Sequence, residues 1–131
     1  MKAFKTVSES SVEAVHLVLP NDVNLLNNLM GGQLMHWIDI AAALTASKHA
    51  NSIVATVSMD SLNFKHPARL GEMVRLQSNL VSVGNTSMKI KVDVWAENLQ
   101  TGNKIHTNEA TLVFVALDDS GKPTPVPGLM H

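Results

Sequence analysis

Gly31-Gly32-Gln33-Leu34-Met35-His36-Trp37-Ile38-Asp39-Ile40-Ala41-Ala42-Ala43-Leu44-Thr45-Ala46-Ser47-Lys48-His49 is the stretch on which the fold turns. It is the only long segment with helical character. Leu34, Trp37, Ile38, Ala41 and Thr45 recur at helical spacing and form one apolar face. The opposite side carries Met35, Ala42, Ala43 and Ala46, so a helix buried nearly all round is expected. Asp39 projects from the alanine-rich side. A carboxylate there is costly unless it is hydrogen-bonded or its site is wet and functional. Two glycines open the helix, where backbone N–H groups and the positive end of the helix dipole are free. Without a Cβ, a ligand carbonyl or phosphate can approach that backbone closely.

Outward from the helix the pattern is that of strands. Ser11 to Leu19 reads as a first strand, with Val12, Ala14, His16 and Val18 on one side, and Pro20 ends it. Asn21 to Met30 reads as a loop, because Asn and Asp favour turns and caps, and Asn27 or Asn28 is expected to cap the helix. Beyond the helix, strands are predicted over 52–64, 72–83, 86–97 and 104–117. The third of these alternates cleanly, Met88, Ile90, Val92, Val94 and Ala96 against Lys89, Lys91, Asp93, Trp95 and Glu97. Gly84-Asn85 is a hairpin signal, and Pro67 and Gly71 punctuate the turn before it. The tail 118–131, with Pro123, Pro125 and Pro127, is expected to be irregular. One helix on one face of an antiparallel sheet is an α+β arrangement, and its uncovered face and edges favour a dimer or a larger assembly.

Composition narrows the function classes. A chain of 131 residues is expected to be one domain, 1–131. The formal net charge of -1 provides no basic footprint for nucleic acid. The absence of cysteine excludes disulfides and thiolate metal sites and fits a reducing compartment. No apolar run reaches membrane-span length, and the first residues lack the apolar core of a secretory signal, so a cytoplasmic location is expected. His16, His36, His49, His66, His106 and His131 show no ligand spacing, and no metal site is expected.

Four places carry a family resemblance that runs from about Val12 to Val126. They are Pro20-Asn21-Asp22-Val23-Asn24 leading into Gly31-Gly32; Met35-His36-Trp37-Ile38-Asp39; Val54-Ala55-Thr56-Val57-Ser58-Met59-Asp60 running into Phe64-Lys65-His66-Pro67; and Val83-Gly84-Asn85-Thr86-Ser87-Met88, followed by Val92-Asp93-Val94-Trp95-Ala96-Glu97. In this order and spacing the chain resembles the hot-dog fold acyl-CoA thioesterases, the bacterial acyl-CoA hydrolases and their brain-type mammalian relatives. The resemblance implies a central helix wrapped by an antiparallel sheet of about five strands.

It also implies a reaction, hydrolysis of acyl-CoA to free acid and coenzyme A, with no cofactor beyond the CoA of the substrate. Asp39 matches the acidic catalytic residue of the central helix, acting as general base or directly as nucleophile. Asn24 matches the catalytic asparagine of the preceding loop, orienting water or polarising the thioester. Thr56 matches a hydroxyl at the active site. Gly31 and Gly32 correspond to the oxyanion-binding helix start. Gly84, Asn85, Thr86 and Ser87 resemble the turn that contacts CoA, and Lys65, His66 and Arg69 are candidates for its phosphates. In this family Asn and Asp of one site come from different subunits of a dimer, and hexamers form as trimers of dimers. Asn27-Asn28-Leu29-Met30 departs from the commoner pattern beside the acyl pocket, which leaves the chain-length preference open. The competing reading is a non-catalytic acyl-CoA-binding regulatory domain. A hot-dog dehydratase fits less well, since no histidine sits in the loop preceding the central helix.

Overall fold

The computed structural model describes residues 3–60 and 66–130. Lys65 and the end of the strand expected over 52–64 lie outside the described residues. In chain order the elements are β1 (Phe4–Thr6), β2 (Val12–Leu17), α1 (Gly31–Ala50), β3 (Ile53–Met59), β4 (Met73–Val83), β5 (Ser87–Glu97), β6 (Lys104–Leu117) and β7 (Gly128–Met130), with short 3-10 turns at Val7–Glu9 and Pro20–Asp22.

Five strands form one antiparallel sheet in the order β2-β4-β5-β6-β3, curled around α1. Strand alternation dictates which side meets the helix. Val74, Leu76 and Leu80 of β4, Met88, Ile90, Val92 and Val94 of β5, and Ala110, Leu112, Phe114 and Ala116 of β6 are buried on the inner face. They pack with Leu34, Trp37, Ile38, Ala41, Ala42 and Ala46 of α1. One buried polar contact interrupts this core, a 2.7 Å bond between the hydroxyls of Thr45 and Ser78. Asn51 ends the helix in the left-handed region, φ 54, with its N–H on the Ser47 carbonyl at 2.7 Å.

Three expectations need correction. The helix is not buried all round: Met35, Ile40 and Leu44 are about half exposed, because the sheet covers only one side of the cylinder. Neither Asn27 nor Asn28 caps the helix. Met30 holds the N-cap position and no side chain bonds to the first turn; Asn27 lies in the left-handed region, φ 60, and turns the chain instead. The tail is not irregular throughout. Gly128–Met130 is a strand that pairs in parallel with Phe4–Thr6. Its neighbour Pro127 accepts a 2.8 Å bond from Nε2–H of the buried His49. The pattern was invisible locally because a three-residue strand gains its partner only from the far end of the chain.

Candidate active site

β3 is one of the two edge strands of the sheet, and the central helix runs beside it. Asp39, in the third turn of α1, is half-buried, and its Oδ1 accepts a 2.8 Å bond from the Thr56 hydroxyl. Thr56 reaches the helix from a bulge. The β3–β6 register skips between Thr56 and Ser58, leaving Val57 without a cross-strand partner, and such a bulge re-aims the side chains beside it. Thr56 is thereby both exposed at the sheet edge and bonded to the helix.

Asn24 lies elsewhere. Its loop is closed at the base by the Met30 N–H donating to the Asp22 carbonyl and the Asn24 N–H to the Asn28 carbonyl, both at 2.9 Å. Within it, Asn24 Oδ1 accepts from the N–H groups of Leu26 at 2.9 Å and Asn28 at 3.2 Å. The acceptor end of the amide is therefore occupied by its own loop, and the Nδ2 donor end meets no acceptor among the described residues. Asn24 and Gly31 share the lining of a cavity of about 290 Å³ with Asn28, Leu34, Thr107 and Asn108. Of the four residues 27–30 that depart from the commoner pattern, Asn28 and Leu29 line this cavity, and Asn27 and Met30 do not. Gly32 is exposed, with nothing within 4 Å of where a Cβ would stand. The uncapped first turn thus begins at the cavity that Asn24 also lines.

Asp39 and Asn24 are not together in one chain. Asp39 lies about 12 Å from Gly31 by the helical rise. Thr56 pairs with Phe114 on β6, about 20 Å by strand rise from Asn108 in the Asn24 cavity. The structure thus brings Asp39 to Thr56, and Asn24 and Gly31 to one cavity, as two candidate half-sites.

The remaining candidates distribute between these half-sites. The turn Gly84-Asn85-Thr86-Ser87 is closed by the Gly84 N–H on the Ser87 carbonyl at 2.9 Å. It lies at the Thr56 end of the sheet, since Ser87 pairs with Val115 and Val115 with Ala55. His66 and Arg69 are exposed near the other half-site, where Pro67 and Ala68 line the Asn24 cavity. Asp22 and Asn108 were not among the site residues expected from the sequence, and Asn28 was expected only as a helix cap. Asp22 had a signal, an acid three residues after Leu19 at the start of a Pro-led turn. Asn108 had one too, since it stands two residues before Ala110 on the inward-facing alternation of β6.

On the outer sheet face the ligating atoms of Asp93, His106 and Glu109 lie within 4.8 Å of one another. They are already paired. His106 Nε2–H donates to Asp93 Oδ1 at 3.0 Å, and the Lys91 ammonium stands 3.4 Å from Glu109.

Residues 26–103 match the family model of the thioesterase superfamily. The chain belongs to the thioesterase superfamily. Among curated members of this superfamily, it is 42% identical over 119 residues to YkhA of Bacillus subtilis, an uncharacterized acyl-CoA thioester hydrolase, covering 91% of this chain and 69% of that protein. Among solved structures, an apo-hexameric acyl-CoA thioesterase superposes with a TM-score of 0.95 at 44% identity, covering 98% of this chain and 82% of that one. The acyl-CoA hydrolase of Staphylococcus aureus, in complex with butyryl coenzyme A, coenzyme A and coenzyme A disulfide, superposes with a TM-score of 0.92 at 36% identity, covering 97% and 77%. The fold is therefore the hot-dog fold. The S. aureus thioesterase has also been solved with single alanine substitutions of an asparagine, an aspartate and a threonine, which lie 15 and 17 residues apart in that order. Asn24, Asp39 and Thr56 of this thioesterase have the same two spacings, 15 and 17.

Proposed function

We propose that the protein hydrolyses acyl-CoA thioesters at a site assembled from two copies of the chain, Asp39 and Thr56 from one and Asn24 with the Gly31-Gly32 helix start from the other. The observation that carries this reading is the division into half-sites. Each holds part of what the reaction needs, and the helix rise keeps them apart in a single chain. The bare β3 edge and the exposed Ile40 and Leu44 of α1 support a second copy as the missing half. The hexameric relative supports assembly of such dimers in threes.

In the proposed step, Asp39 takes a proton from water as the water oxygen attacks the thioester carbonyl carbon. Thr56 holds Oδ1 of the carboxylate and leaves Oδ2 to receive that proton. Negative charge develops on the thioester oxygen, toward which the Nδ2–H of Asn24 and the first-turn N–H groups converge. The tetrahedral intermediate collapses with cleavage of the C–S bond, and the departing thiolate of coenzyme A takes up the proton. No cofactor is needed to balance this step. The turn Gly84–Ser87 and the exposed His66 and Arg69 are the proposed CoA contacts. A CoA substrate and a chain without cysteine support a cytoplasmic setting.

The deciding experiment is thiol release from acyl-CoAs running from acetyl to palmitoyl, with Asp39→Ala alongside. Turnover that disappears in the variant while CoA still binds is the expected result. Binding without turnover of any acyl-CoA by the wild type would overturn hydrolysis in favour of a regulatory acyl-CoA-binding domain.

A further inference from the structure

Asp22 is a buried carboxylate, 8% exposed, that the hydrolytic step does not use. Burying a carboxylate is unfavourable unless its oxygens are bonded, and here each has a donor. Oδ2 accepts the Leu19 N–H at 2.8 Å, and Oδ1 accepts the Gln33 side-chain amide at 2.9 Å. Its backbone carbonyl accepts the Met30 N–H at 2.9 Å. Gln33 belongs to the first turn of α1, directly after Gly31 and Gly32. Asp22 therefore ties three things at one point: the end of the β2 segment, the base of the Asn24 loop and the start of the helix. Among the described residues, no other side-chain bond joins this loop to the first turn of α1.

We propose that Asp22 is a positioning residue that sets the Asn24 amide against the Gly31-Gly32 helix start, with Gln33 as its relay. This rests on the reading of Asn24 as a group facing the thioester. The loop holds the orientation of Asn24 by bonds to Leu26 and Asn28, so the amide moves with the loop as a body. Releasing the base of the loop shifts the amide relative to the helix N–H groups without altering either. Misplacing a catalytic donor by about 1 Å can slow turnover about a hundredfold, while the rest of the substrate still binds.

The test is a kinetic cycle on the intact assembly: wild type, Asp22→Ala, Asn24→Ala and the double variant, with kcat and KM measured separately. The expected result is a fall in kcat of about tenfold to a hundredfold for Asp22→Ala, with KM changed far less. In the Asn24→Ala background the same substitution should have no further effect, because the group it positions is gone. Equal losses in both backgrounds would overturn the proposal and leave Asn24 in its role. An Asn24→Ala variant with wild-type kcat would instead remove the Asn24 reading itself, and Asp22 positioning with it. If Asp22→Ala does not fold, Gln33→Leu cuts only the bond to Oδ1 and is run through the same cycle with the same expectations.

Discussion

Thr56 donates its hydroxyl to Asp39 across the gap between edge strand and central helix, at 2.8 Å. The bond holds one carboxylate oxygen and leaves the other available. Replacing Asp39 with Asn removes the base while keeping the shape, and kcat should fall by about 10²- to 10⁴-fold. Thr56→Val should cost roughly tenfold, and Thr56→Ser should recover most of it. In a single turnover in heavy-oxygen water, label is expected in the product acid. Label in the Asp39 peptide would show direct nucleophilic attack instead.

The proposed division of the site between two chains predicts complementation. Asn24→Ala and Asp39→Ala proteins, each strongly impaired alone, should recover activity when unfolded and refolded together. In a two-fold assembly with statistical mixing, the shared site leaves one site per mixed dimer intact, and roughly a quarter of wild-type activity is the expected return. A mixture no more active than its parents would place both residues in the same chain's site.

The exposed apolar stripe of α1 and the β3 edge predict how assembly can be broken. Leu44→Glu and Val57→Glu put a charge where Leu44 is 49% and Val57 63% exposed in the isolated chain. Single variants should shift the species seen by light scattering toward monomer and lose activity together with mass. A variant that is monomeric and fully active would refute the shared site.

Gly32 separates stability from function. A Cβ there meets nothing within 4 Å, and the residue lies in the first helical turn. Gly32→Ala should leave stability unchanged or raise it by up to about 1 kcal/mol in urea melts. Activity should nonetheless drop if a thioester oxygen approaches that backbone. Unchanged kcat in a well-folded variant would argue against the oxyanion role.

His16 makes stability depend on pH. Its ring stacks on Trp37 with centroids 4.1 Å apart and planes 3° from parallel. Burial pushes its pKa below the ordinary 6.5, and the nearby Asp22 charge only partly opposes this. The folded state therefore prefers neutral His16, and the unfolded chain binds the proton first. Stability contributed by His16 is complete above the ordinary value and is lost as pH falls through it. Denaturant midpoints should fall between about pH 8 and about pH 5.5, and His16→Phe should flatten that decline. An unaltered slope in the variant would assign the pH dependence to other groups.

Much of the architecture was legible from residue order. The period-two alternation of β5 and β6 and the apolar face of α1 are local signals, carried by neighbours in sequence. Asp39 stood out because a carboxylate among alanines has no local partner. The family resemblance supplied Asn24, Thr56 and the glycines as a set, but not their arrangement. The structure corrected the helix cap and the tail, since both depend on contacts made across the fold.

By itself, then, the sequence determined the central helix, the long strands and their inward faces, because those follow from side-chain chemistry and spacing along the chain, and its family resemblance named the candidate catalytic residues. Only the tertiary structure decided which of them meet. The bulge at Val57 turns Thr56 to Asp39, Asp22 fastens the Asn24 loop to the helix, and the rigid rise of α1 holds Asp39 away from the cavity of its own chain. These are distances between segments remote in sequence, set by register and packing, and no local pattern encodes them.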